Sequence, residues 1–120
     1  MTHYLGWYRL DDAGNPIPEP DARAWGEWRD SQIPGPLDAH KTYLATQEGP
    51  VEVSTVFLGL DHSHGIGTVP ILWETMIFTD GDMSGDKCWR YATRTEAHRH
   101  HAALVEALSA GLPLPEPEEG

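Results

Sequence analysis

The chain has 120 residues, and its eight Lys and Arg stand against nineteen Asp and Glu, a formal net charge of −11 with histidine neutral. That length suits one domain with a modest core, while the charge opposes a phosphate backbone and excludes ordinary duplex binding through a basic patch. Its single cysteine, Cys88, rules out an intramolecular disulfide, and no apolar run approaches the roughly 18 residues of a membrane span.

The opening, MTHYLGWYRLDD, lacks a cationic region followed by an apolar core, so no signal peptide is expected and the reading is a soluble, cytoplasmic protein. Residues from about Thr2 to Leu10 alternate weakly and carry Tyr4, Trp7 and Tyr8, which suits a first strand. DDAGNPIPEP follows as a connector whose Gly and three prolines forbid helix and interior strand alike. Asp21 then caps a short helix through about Asp30, with Trp25 and Trp28 on adjacent turns of one face. A strand from about His40 to Gln47 leads through EGP into a second, a hairpin.

That second strand, within VEVSTVFLGLDHSHG, is the most informative stretch. Val51, Val53, Thr55 and Phe57 alternate with Glu52, Ser54, Val56 and Leu58, and the run then turns apolar on both faces. Such a run, bounded by Gly and polar residues, is expected to be a central strand. ILWETMIF supplies the next strand, and the loop DGDMSGD leads to KCWRYA. In the last element Thr93 and Glu96 have capping-box spacing. Ala97, His101, Leu104, Val105 and Leu108 recur at helical spacing, and Gly111 with Pro113 stops the helix.

The expected fold is therefore α+β: a mostly antiparallel sheet of four or five strands, a C-terminal helix packed on one face and a short N-terminal helix. Residues 1–111 form the domain, and 112–120 form an acidic, Pro-rich tail expected to be extended or disordered.

Several groups invite a chemical reading. Asp61, His62 and His64, at the exit of the central strand, are carboxylate and imidazole groups suited to a first-row divalent ion. His98 and His101, one turn apart, could complete that site if the helix faces the loop. Exposed loop histidines and a core-edge His101 are the plainer reading, since no HExxH or Cys-containing zinc spacing is present. Asp80, Asp82, Ser84 and Gly85 match the first half of a calcium loop, but Tyr91 stands where the bidentate glutamate belongs, so a hairpin loop is preferred. No cofactor is therefore expected, a divalent metal being the alternative.

Glu74 shares its strand face with Leu72, Met76 and Phe78. A carboxylate there must be paired, protonated or functional, and a structural ion pair with Arg90 or His101 is the leading reading. Trp73 belongs to the opposite face. Trp25, Trp28 and Trp73 are expected either to form one aromatic core cluster or to present a ligand platform or protein interface. No P-loop lysine, nucleophile elbow or dinucleotide fingerprint is present, and Cys88 beside Trp89 reads as packing.

STVFLGLDH, WETMIF and WRYATRTEAHRHH, with the opening MTHYLGWYRLDDAGNPIP, resemble a family of small proteins encoded by phages and prophages. The likeness spans most of the chain and is weakest across residues 29–40 and the tail. Asp61, His62, Glu74, Thr75, Tyr91 and Glu96 match the family pattern. That pattern carries an aromatic in place of His64 and Ala-Gly-His around Arg99 to His101, where this chain departs. The resemblance implies phage context and a shared fold, without a reaction.

Together these features point to a non-enzymatic accessory protein of the host-cell cytoplasm that binds and inhibits a host protein, such as a CRISPR or other defence nuclease. Two alternatives stand beside it: a metal- or small-ligand-binding protein or hydrolase using Asp61, His62, Glu74 and His101, and a virion or assembly component. The oligomeric state is left open by the sequence.

Overall fold

The computed structural model describes residues 6–32, 40–61, 69–79 and 82–117, with side chains described for all of these except 82–86. Among them the elements run β1 (Tyr8–Leu10), β2 (Pro16–Pro18), α1 (Ala22–Ser31), β3 (His40–Thr46), β4 (Gly49–Phe57), β5 (Trp73–Thr79), β6 (Asp82–Tyr91) and α2 (Arg94–Ala110). The fold is α+β. β3 to β6 form a four-stranded antiparallel sheet in sequence order, β1 and β2 form a separate two-stranded ribbon, and α2 packs against the sheet.

Alternation along the strands decides which face the helix covers. Phe57, Thr55 and Val53 of β4 pair in register with Trp73, Thr75 and Ile77 of β5. Tyr91 and Trp89 of β6 continue the rows from Trp73 and Thr75, while His40 and Thr42 of β3 pair with Thr55 and Val53. Because side chains alternate by two, these residues share one face, and α2 lies across it. Two core clusters result. One gathers Phe57, Leu72, Trp73, Tyr91 and Ala97; the other gathers Val51, Val53, Ile77 and Leu104, with Val105 and Leu108 partly buried against it. Leu104 is fully buried, a contribution of about 1.5–3 kcal/mol to holding α2 on the sheet.

The helix ends follow the sequence signals. The Asp21 carboxylate accepts from the Arg23 and Ala24 amides at the start of α1. Thr93 Oγ1 accepts from Glu96 N at 3.1 Å and donates to Glu96 Oε1 at 3.0 Å, so the two residues cap α2 through each other. Gly111, at φ 68°, ends α2 in the left-handed conformation, and Leu112 N donates back to Ala107 O.

Four expectations are refined. The buried positions of α2 are Ala97, His100, His101, Leu104 and Ala107, so the inward face includes His100, while Val105 and Leu108 sit at its margin. The proline-rich connector contributes β2, which is compatible with proline because it is an edge of a two-stranded ribbon. Only Tyr8–Leu10 of the expected first strand is seen as strand, and Tyr4 lies outside the described residues. Finally, β6 begins at Asp82, so Asp82, Ser84 and Gly85 belong to a strand paired with β5 rather than to a loop able to wrap a cation, and Asp80 lies outside the described residues. Residues 112–117 have no regular secondary structure, yet Leu114 packs on the second cluster and Pro115 O accepts from His100 Nε2 at 2.8 Å. Among the described residues no helix is long and apolar enough to cross a membrane.

Candidate functional site

The described ionisable candidates fall in three places, two of them on opposite faces of the sheet. Glu74 belongs to the face of β5 turned away from α2, opposite Val56 and Arg90. Only 7 % of the residue is exposed. Its Oε2 accepts from Arg90 Nε at 2.9 Å and from the Cys88 thiol at 3.4 Å. The expected ion pair is therefore present, with Arg90 as partner. Burial, together with the Glu74 carboxylate, pushes the Cys88 thiol up to about 11, so it is protonated and unreactive at neutral pH.

His101 lies on the other face, under the helix, and is 1 % exposed. Its Nε2 bonds the Thr42 hydroxyl at 2.7 Å and its Nδ1 bonds the Thr55 hydroxyl at 2.7 Å. Thr55 Oγ1 in turn bonds Thr75 Oγ1 at 2.6 Å, so one imidazole ties three strands to α2 through a chain of neutral groups. The His40 ring stacks on His101 with centroids 4.0 Å apart, and His98 stands 5.4 Å from His40. Burial, then the neighbouring imidazoles of His40 and His98, push His101 down to about 4. The Thr55–His101 contact has the reach of a nucleophile and its base, but both residues are sealed in the core, where no substrate can enter. Glu74 and His101, expected together in the ligand-binding or hydrolase alternative, are divided by the sheet itself.

His100, the next residue, is also buried. Its Nδ1 bonds the Tyr91 hydroxyl and its Nε2 donates to Pro115 O, which leaves Nδ1 as acceptor for the phenol. Burial pushes Tyr91 up to about 12.

Asp61 marks the third place. Its Oδ1 accepts from Ile71 N at 2.8 Å and its own N–H donates to Gly6 O at 2.9 Å. The carboxylate thus closes the two ends of the connection between β4 and β5. His62 and His64, the other proposed metal ligands, lie outside the described residues. Among the described residues no group of three His, Cys, Asp or Glu is placed to hold a metal ion.

The tryptophans divide between two contacts. Trp25 donates from Nε1 to Tyr8 O at 2.8 Å and stacks on Trp7 with centroids 5.9 Å apart, fixing α1 to the ribbon. Gly59 is required beneath it: its φ is +75°, and a β-carbon there would stand 3.0 Å from Trp25 Cζ2. Trp28 meets Phe57 edge-on at 6.1 Å, and Phe57 touches Trp73 at 5.0 Å. Trp28 and Trp73 are therefore joined through Phe57, while Trp25 is paired separately with Trp7.

Sequence reasoning did not single out Thr42, Thr55 and His100 as partners. The signal was available in part: Thr55 sits at an inward position of an alternating strand, where a hydroxyl must find a partner. Asp61, Glu74, Thr75, Tyr91 and Glu96 each make one of the internal bonds above. Comparison with protein-family models, with curated proteins and with solved structures finds no match to this chain.

Proposed function

We propose that this chain is a non-catalytic binding protein that occupies a basic surface of a host protein and thereby inhibits it, a phage-type accessory protein directed at a defence nuclease. One observation carries this reading. Among the described residues, the groups best suited to chemistry are already bonded inside the fold, Glu74 to Arg90, His101 to two threonines and Asp61 to the Ile71 amide. The acidic groups, by contrast, stand outside: Asp12, Asp21, Asp30, Glu48, Glu106 and Glu116 are all exposed. With a net charge of −11, such a surface attracts a cationic groove at long range and competes there with nucleic acid. The resemblance to phage proteins supplies the expected context and the choice of partner.

The test is phage challenge of cells that carry a defence nuclease, with and without the chain, followed by binding of the purified nuclease across a salt series. Rescue of the phage by the native chain and by Glu74→Gln and His101→Gln is expected, with affinity falling as salt rises. Rescue that is lost in either folded variant would instead give those groups a direct functional role.

A further inference from the structure

The last described residues lie against α2 without belonging to any element. Gly111 and Leu112 already close the helix, through the left-handed turn and the Leu112 N–H donated to Ala107 O. Beyond that point the chain doubles back. Leu114 packs on the cluster that includes Leu104, and Pro115 O accepts from His100 Nε2 at 2.8 Å. From Leu112 to Pro115 the tail thus follows α2 from Ala107 to His100. Seven helical residues rise about 10 Å, and three residues of extended chain reach about 9–10 Å. The segment is therefore extended, a form that Pro113 and Pro115 favour at small entropic cost.

The tail is held as a ligand is held. Among the described residues no backbone–backbone hydrogen bond ties residues 113–117 to the fold. Pro113 and Glu116 are exposed, while Leu114, Pro115 and Pro117 are half-buried. The groove beneath owes its shape to the domain itself. Tyr91 fixes the His100 ring through Nδ1, so that Nε2–H is aimed at the tail. Trp89 meets the same ring edge-on at 5.1 Å and packs on the same cluster as Leu114. An apolar seat for one side chain, a neighbouring aromatic ring and a donor aimed at a backbone carbonyl are the parts by which domains take extended, proline-containing segments.

We propose that this groove on α2 is a docking site for an extended leucine–proline segment of a partner protein, and that the chain's own tail occupies it as an internal competitor. The occupant's chemistry is read from the segment seated there: a leucine for the cluster of Leu104 and, next to it, a proline carbonyl for His100. Release of the tail opens no strand pair and removes no helix cap, so the exchange leaves the fold in place. It does strip His100 Nε2 of its acceptor, which the carbonyl of an incoming segment restores. The groove acts independently of the acidic surface invoked above.

The experiment is a titration of the full chain with a synthetic peptide of residues 111–120, GLPLPEPEEG, followed by 15N-resolved NMR. A scrambled peptide of the same composition is the control, and full-length Leu114→Ser, which weakens the internal competitor, is titrated alongside. Saturable shifts of the Trp89 indole N–H and the Leu104 amide are expected in both chains. Affinity should be roughly tenfold or more higher in Leu114→Ser, because a groove that is mostly closed binds in proportion to its open fraction. In the native chain the Leu114 and Glu116 amides should move to random-coil positions as the added peptide replaces them. Should Leu114→Ser fail to fold, that displacement carries the test. No saturable shift, an equal response to the scrambled peptide, equal affinity of the two folded chains, or binding that leaves the native tail in place overturns the proposal.

Discussion

The two faces of the sheet bury polar groups by opposite means. Under α2, Thr42, Thr55, Thr75 and His101 form a chain of neutral groups with each imidazole nitrogen engaged. On the other face the Glu74 carboxylate is paired with Arg90, whose side chain is 45 % exposed and so reaches it while staying in contact with water. The difference teaches a rule of dielectric. In the sealed layer an ion would lose its solvation without recompense, so the fold employs groups that hydrogen-bond uncharged. At the half-open face a charge is tolerated because one partner remains solvated.

The sharpest way to break the comparison is His101→Ala. It opens a core cavity and removes the shared partner of Thr42 and Thr55, and a loss of about 3–5 kcal/mol is expected in chemical denaturation. A loss below about 1 kcal/mol would mean that the threonines re-pair without the imidazole.

Acidification should act on the same residue. The folded state holds His101 near 4, below its ordinary 6.5. Below pH 6.5 the unfolded chain therefore takes up a proton that the folded chain refuses, and stability falls until about pH 4, where the loss levels off. The change reaches about 3 kcal/mol at most. Carboxylates titrate near the lower end of this window, so the contribution is read as the difference between the native chain and His101→Gln, whose profile should be flatter between pH 6.5 and 4.

Truncation after Leu112 removes the Pro115 acceptor of His100 and the packing of Leu114. A destabilisation of about 1–2 kcal/mol is expected in thermal melts. The open face should respond least. Glu74→Gln keeps an acceptor for Arg90 and should cost no more than about 1 kcal/mol. The same change removes the carboxylate charge that helps hold the Cys88 thiol up. Alkylation of Cys88 near pH 8 should therefore become several-fold faster in Glu74→Gln than in the native chain. An unchanged rate would assign the protection of the thiol to burial alone.

The sheet was legible because β4 and β5 carry the apolar, alternating pattern of central strands and because Asp21, Thr93 and Gly111 are recognisable caps. The Glu74–Arg90 pair was legible too, since a carboxylate among Met76 and Phe78 demands a cation. The threonine–histidine chain was not, because it depends on the register of β3, β4 and β5 and on the rotation of α2, all set by tertiary packing. One residue of helix rotation decides whether His100 faces solvent or Tyr91, and periodicity alone does not resolve that. The DGDMSGD segment misled for a related reason: turn-forming residues also fit a strand when a bulge between Ile77 and Thr79 lets the pairing continue.

The clamp at Asp61 has a consequence for how this protein can change. Its Oδ1 grips the Ile71 amide while its own N–H is held by Gly6 O. Asp61 and Ile71 are thus held to each other directly, by a bond that does not pass through the chain between them. Doubling the length of such a closed segment costs only about 0.6 kcal/mol in chain entropy. A connection whose ends are held to each other in this way can change in length at little cost to the pairing of the strands it joins.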